Sequence, residues 1–404
     1  METVSGFTLV FEKTIIFWFA TLFCFSFLFI YLNQNQNGLR VFANIRIGVI
    51  TTAIMEDNLQ KNKTCNIYDG KWVYDAKETE LQDVTDCPFL SSQVSCKRNG
   101  RPEFEYEKWR WESSNCEIPR FDGTNMMKRL RGKRLIIVGD SLNRNQFESL
   151  ACLLYTSIPP NRSYVDVRSD THKIFIAKDY NFTVEFYWSP FLVELDNADP
   201  TTGRLLKLDT LHSSANKWRG ADIMVFNTGH WWAHTGKYQG WDLFEHNGMF
   251  IENIDIEKAF KVAMNSWAQW IDRNVDPSKT TVFFRGISPE HKGKEWCYNT
   301  TKPILEDSYI PTKFPKPILE VVETTIFEMT TPVIYLNITK LSQYRRDAHP
   351  SIYTAKQGIL LTEEQRKQPQ LFADCSHWCV PGVPDTWNFL LYASIILNTP
   401  QNVV

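Results

Sequence analysis

No block of like charge interrupts this sequence of 404 residues: 44 basic and 46 acidic side chains are spread along it, with a formal net charge of −2. A nucleic-acid partner calls for a basic stripe that neutralises phosphates, so none is expected. Internal repeats and low-complexity tracts are also absent, and 43% hydrophobic against 22% charged residues lies far from disordered compositions. His230-Trp231-Trp232-Ala233-His234 spaces two histidines four apart, yet no Glu follows the first, so the zinc-protease pattern is missing. No bound metal is expected.

Aromatic side chains are plentiful: 14 Trp, 15 Tyr and 27 Phe. Surface rings suit the flat C–H faces of sugars, while most rings in any protein fill the core. Thr14 to Leu32 runs without a charge, and ~20 such residues match the hydrocarbon core of a bilayer. With no short apolar core and no clear cleavage motif, a retained signal-anchor is expected rather than a cleaved signal. Lys13 before the span and Arg40 and Arg46 after it mildly oppose a cytoplasmic N-terminus. Two other signals outweigh that count. Eight of the nine cysteines lie beyond the span (65, 87, 96, 116, 152, 297, 375 and 379), an even number that suggests four disulfides and an oxidising lumen. Five N-glycosylation sequons, at Asn62, Asn161, Asn181, Asn299 and Asn337, fall in the same region.

The organisation read from the sequence is a cytoplasmic tail (1–13), the anchor (14–32), a lumenal stem (33–64), a cysteine-rich N-terminal subdomain (65–119) and a main domain (120–404). The cysteine-rich stretch has few sustained apolar runs, so it reads as an appendage dependent on cross-links and docking. In the main domain the runs Arg134–Gly139, Asp222–Asn227, Thr281–Gly286 and Pro332–Asn337 read as buried strands. They alternate with helix-period segments, 256–271 and Ile318–Met329 among them. This pattern implies a three-layer α/β/α sandwich around a central parallel sheet.

The strongest local signal is RLIIVGDSLNRNQFESLACLL at 134–154. A strand ends at Gly139-Asp140-Ser141 and a helix follows, with Leu142, Phe147, Leu150 and Leu154 on its apolar side. A serine at the carboxyl end of such a strand sits where α/β sheets bind ligands, beside free N–H groups that stabilise an oxyanion. The competing reading is a plain N-cap. A serine nucleophile needs a base and an orienting acid. Of eight histidines, only His377 stands in a tight constellation, Asp374-Cys375-Ser376-His377-Trp378-Cys379. There Asp374 can accept from Nδ1–H and leave Nε2 to face Ser141. A zinc site built from Cys375, Cys379 and nearby His residues is disfavoured by the oxidising lumen. Asn227, closing its strand, is a candidate oxyanion donor, and Trp231 and Trp232 are candidate cleft walls or structural residues. Arg144 and Asn145, on the first turn after Ser141, are candidate donor or acceptor contacts.

GDSLNRNQ together with DCSHWCVPG resembles the plant trichome birefringence-like proteins, a branch of the PC-esterase group related to GDSL/SGNH hydrolases. CNIYDGKWVYD at 65–75, CPF at 87–89 with Cys96, and WRW at 109–111 before Cys116 resemble that family's cysteine-rich N-terminal domain. LRGKRLIIVGDS, NVDPSKTTVFFRGISPEH, LNIT and LSQYRRD resemble its C-terminal domain, so the similarity covers roughly residues 65–400. The resemblance implies an SGNH-hydrolase-like fold in a single-pass type II Golgi protein that O-acetylates wall polysaccharide such as xylan or pectin. It casts Ser141 as nucleophile, His377 as base and Asp374 as orienting acid. It also implies the bridges Cys65–Cys116, Cys87–Cys152, Cys96–Cys379 and Cys297–Cys375, whereas sequence alone leaves roughly a hundred pairings open. Val380 replaces a leucine common in the family. Gly229-His230 stands where several xylan-acting members carry other residues, which leaves the acceptor polysaccharide open.

The expected reaction is acetyl transfer through an acyl-serine, with Gly139, Asp140 and the Ser141 N–H shaping the oxyanion site. No bound cofactor is expected, and an acetyl donor is expected as the co-substrate. An acetylesterase with the same triad, and a non-catalytic polysaccharide-binding bridging protein, are the alternatives.

Overall fold

The four apolar runs become four neighbouring strands of one sheet. In the computed structural model, which describes residues 65–76, 87–197, 203–293, 296–305 and 316–398, the strands are β1 (Gly70–Tyr74), β2 (Trp109–Ser113), β3 (Arg134–Gly139), β4 (Ser163–Ser169), β5 (His172–Ala177), β6 (Phe182–Trp188), β7 (Val193–Asp196), β8 (Leu205–Leu211), β9 (Ile223–Phe226), β10 (Leu243–His246), β11 (Met249–Ile251), β12 (Thr281–Arg285) and β13 (Val333–Leu336). The longer helices are α1 (Gly123–Arg129), α2 (Ser141–Thr156), α3 (Ile256–Asn274), α4 (Lys316–Glu328) and α5 (Val383–Asn398). The expected anchor at 14–32, the tail, the stem and Asn62 lie outside the described residues. Among the described residues, no helix is long and apolar enough to cross a membrane.

The central sheet has the order β13-β12-β9-β3-β6-β5-β4. From β13 to β6 every pairing is parallel; β5 and β4 then pair antiparallel. The expected wholly parallel sheet is therefore corrected to a mixed one. Connection length is the reason: a parallel return needs a crossover of about a dozen residues. Only Asp170 and Thr171 separate β4 from β5, and a short turn ending at Asn181 (φ 46°) separates β5 from β6. A second sheet, ordered β11-β10-β8-β7, was not anticipated from sequence.

Alternation along β3 explains the three layers. Ile136 and Val138 join a core with Phe260 and Trp267 of α3 and Val322 of α4. Leu135 and Ile137 face the other way, onto Met126 of α1, Phe147 and Leu150 of α2, and Leu391 of α5. Each such fully buried side chain contributes ~1.5–3 kcal/mol by leaving water.

One sequence expectation needs revision here. Helix α2 buries nearly every residue from Leu142 to Leu154, not one stripe, because α5 and the cysteine-rich segment cover its outer side. The cysteine-rich segment packs closely on the main domain. Its Trp72, Tyr106 and Trp111 share a core with Leu142, Trp378 and Trp387, and Asn66–Val404 forms one compact unit. Disulfides Cys87–Cys152, Cys96–Cys379 and Cys297–Cys375 tie these layers together, and Cys65 and Cys116 are disulfide-bonded too.

Candidate active site

β3 delivers the chain to the carboxyl edge of the sheet at the place where connections diverge, towards β6 on one side and β9 on the other. Gly139 makes the turn (φ 155°). A Cβ there would lie 2.1 Å from Asn227 Oδ1 and 2.8 Å from the Asn227 carbonyl. Asp140 is the N-cap of α2: its side chain accepts from Leu142 N at 2.9 Å, and Arg144 N donates to its carbonyl. Ser141 is the first helical residue, so its N–H has no intrahelical acceptor. Its side chain is half-buried and accessible.

His377 arrives from a loop near the other end of the chain. Its Nε2 lies 2.8 Å from Ser141 Oγ, and its Nδ1 lies 2.8 Å from Asp374 Oδ2. Asp374 Oδ1 accepts the N–H groups of Ser376 and His377, each at 3.0 Å, which winds the loop around its own carboxylate. Burial pushes the Asp374 carboxyl up, but the adjacent imidazole and these N–H donors outweigh it and hold the group well below the usual carboxylate range. Asp374 is thereby an anion that orients the ring.

Further bonds hold the loop in place. The Asp374 backbone pairs with Ser351 in both directions, and Cys375 and Cys379 anchor it through their disulfides. Trp378 donates its backbone N–H to Asn145 Oδ1 (2.8 Å) and its indole N–H to Ser288 (2.7 Å). The His349 ring stacks on Trp378 at 4.0 Å, and its Nδ1 meets the His377 carbonyl at 2.6 Å.

The secondary candidates fare unevenly. Asn145 is buried, and its Oδ1 accepts from the loop at Trp378 N. Asn227 is also buried, with its amide turned to Asp140: Oδ1 accepts from Asp140 N and Nδ2 donates to Asp140 Oδ2, both at 3.3 Å. Trp232 is no cleft wall. It packs in the core with its indole N–H on Thr228, because the turn at 231–233 sends consecutive side chains opposite ways. Trp231 stays partly exposed, edge-on to Trp188 at 5.8 Å. Trp188 was missed in the sequence; its signal was the aromatic run closing β6, the strand registered so that Trp188 lies beside Gly139. Arg144 is half-buried, and its guanidinium donates to Gln93 Oε1 at 2.7 Å. Gln93 had no signal at all.

His230, His234 and Glu290 place three metal-capable atoms within 4.8 Å. Both Glu290 oxygens already have partners: Oε1 meets His230 Nε2 and the Ser376 hydroxyl, each at 2.9 Å, and Oε2 meets Lys292 at 2.7 Å. Burial opposes charge on His230, but Glu290 raises its pKa; burial and the neighbouring His230 lower that of His234. Glu290 is thus already paired by His230, Ser376 and Lys292. A cavity of about 270 Å³ lies elsewhere, between Trp109, Phe121, Asp385 and Phe389; none of Ser141, Asp374 or His377 lines it.

A layered α/β fold with an accessible serine at a strand–helix junction, bonded to a histidine that an aspartate orients, defines a protein suited to acyl-ester chemistry. Residues 118–394 match the PC-Esterase family, described as the GDSL/SGNH-like acyl-esterase family found in Pmr5 and Cas1p. Residues 63–117 match the PMR5 N terminal Domain. Among curated proteins, the chain is 42% identical to protein trichome birefringence-like 3 of Arabidopsis thaliana, over 85% of this chain and 82% of that protein. It is 41% identical to the probable xylan O-acetyltransferase 8 of Oryza sativa subsp. japonica, over 82% of this chain and 78% of that protein. Xylan O-acetyltransferase 6 of the same plant is 41% identical over 82% of this chain, which spans 62% of that relative's length. The chain belongs to the PC-esterase family, among the trichome birefringence-like proteins.

Proposed function

We propose that this protein is a Golgi-membrane O-acetyltransferase of type II topology whose lumenal domain moves acetyl groups onto cell-wall polysaccharide through an acyl-serine. The observation that carries the proposal is the 2.8 Å contact between His377 Nε2 and Ser141 Oγ, with Asp374 on the far nitrogen. The names of the rice relatives, xylan O-acetyltransferases, support a polysaccharide acceptor. Disulfides and the exposed sequon residues Asn161, Asn181, Asn299 and Asn337 support a lumenal location.

Two half-reactions share one base. His377 Nε2 takes the hydroxyl proton as Ser141 Oγ attacks the acetyl carbonyl carbon of the donor. The negative oxygen is met by the Ser141 N–H at the start of α2 and by the second hydrogen on Asn227 Nδ2. As the intermediate collapses, the donor's leaving group departs with the proton from His377. A sugar hydroxyl then gives its proton to Nε2 and attacks the acetyl-serine, and Ser141 leaves as the hydroxyl. Trp188 and Trp231, partly exposed beside Gly139, offer ring faces to the acceptor.

The test is incubation of the full-length protein, purified in detergent, with an acetyl donor and a panel of xylan-, mannan-, xyloglucan- and pectin-derived oligosaccharides. Mass spectrometry should find one class gaining acetyl groups, dependent on Ser141. Release of free acetate with no acetylated sugar would replace transfer by hydrolysis.

A further inference from the structure

We propose that Gln93, a side chain of the cysteine-rich segment, is a positioning residue for the Asp374–His377 pair and tunes the base strength of that pair. The inference rests on the serine–histidine reading given above.

Gln93 Oε1 accepts from the Arg144 guanidinium at 2.7 Å. Arginine carries only donors, so this contact fixes the amide's orientation: the oxygen points at Arg144 and the NH₂ must point away. The NH₂ lies 3.4 Å from Asp374 Oδ2 and 3.1 Å from His377 Nδ1. With the Nδ1 proton directed at Asp374, as a base at Nε2 requires, the Gln93 N–H is a second donor on the same carboxylate oxygen. It draws on the negative charge that would otherwise serve the imidazole alone.

The contact is built rather than incidental. Thr354 donates to the Gln93 carbonyl (3.0 Å), Val380 N donates to the Val94 carbonyl (3.1 Å), and Cys96 is bonded to Cys379. Gln93 and His377 therefore ride on two loops clamped to each other. On the other side Glu148 holds Ser91 at 2.7 Å and sits 4.0 Å from Arg144, so α2 fixes the orienting arginine as well. Other charged or titratable groups facing the His377 loop are Arg144 and Glu148 from α2, Glu290 through Ser376, His349 at the His377 carbonyl, Arg101 at Cys379 Sγ, and His291, whose backbone N–H donates to the Cys375 carbonyl and whose ring meets His349. All remain in Gln93 variants, so a difference between them isolates the amide.

The readout is the rate at which a fluorophosphonate probe labels Ser141 in the full-length protein, followed against pH. Labelling needs an unprotonated base but no acetyl acceptor. In Gln93→Glu, added negative charge beside the ring stabilises its protonated form, so the pH of half-maximal labelling should rise by about one unit. Gln93→Leu removes the competing donor and should raise the midpoint by less. Glu is nearly isosteric at this half-buried site, which keeps the variant folded if the Leu variant is not. A midpoint that stays put in Gln93→Glu, with only the rate reduced, overturns the inference. If the wild type is not labelled at Ser141, or labels equally well as His377→Ala, the serine–histidine reading itself has failed and the inference falls with it.

Discussion

His377 and Ser141 are 236 residues apart in the chain and 2.8 Å apart in space. The approach is made by Asn145, one turn beyond Ser141 on α2, which binds the backbone of Trp378, the residue after the histidine. Helix and loop thus grip each other beside the reacting atoms, and the two disulfides flanking His377 remove the freedom the loop would otherwise have.

Removing the members of this contact should separate chemistry from folding. Ser141→Ala should abolish acetyl turnover with an unchanged melting temperature. Asp374→Asn should lower kcat by about 10⁴-fold, since an amide favours the wrong imidazole tautomer. Retention of turnover in Ser141→Ala would remove the acyl-serine from the mechanism.

Trp188 and Trp231 make a prediction about the acceptor. Trp188→Ala should raise KM for the oligosaccharide about tenfold, the loss of a ~1 kcal/mol or somewhat larger stacking contact. Labelling of Ser141 by a fluorophosphonate should be little affected. Equal losses in both assays would mean that the ring supports the fold and not the sugar.

Gly139 is the least replaceable glycine at the site. A Cβ would meet both Asn227 Oδ1 and the Asn227 carbonyl, so Gly139→Ala should cost ~1–3 kcal/mol of stability and most of the activity. Adding Asn227→Ala should not restore either, because the backbone carbonyl at 2.8 Å remains. Recovery of melting temperature in the double variant would contradict this account.

Asp385 ties α5 to α2 by accepting from Ser149 and from Gly382 N. Burial raises its carboxyl to about 6, against those two hydrogen bonds. An unfolded chain releases this proton near pH ~4. Between about pH 4 and 6 the folded protein keeps a proton that the unfolded chain has lost, so the contribution is full below that window and fades as pH rises through it. The two-unit span amounts to ~3 kcal/mol. Urea denaturation should show the stability of the wild type falling by about that much relative to Asp385→Asn from about pH 4 to pH 6; a constant difference would rule the effect out.

Much of the sheet was legible in the sequence. RLIIVG, DIMVFN, TVFFRG and PVIYLN are β-branched or aromatic runs bounded by turn residues, and they became β3, β9, β12 and β13 in one sheet. The strand–Gly-Asp-Ser–helix junction could be read because a strand end, a cap and a helix start are all local. The antiparallel β4–β5–β6 edge was harder to read: pairing direction depends on how tightly the chain turns back, not on the strands' composition.

What the sequence by itself determined is thus the set of elements and the chemical types available to them: a serine on a helix start, an Asp-x-x-His loop and paired cysteines. Tertiary structure alone decided which of those groups meet. It buried Trp232 and Asn145, left Trp188 partly exposed, and brought Gln93 onto the Asp374–His377 pair. Local periodicity says which face of an element is buried but not what lies against it. That choice is made when distant segments pack, and their donors and acceptors must find partners as water leaves.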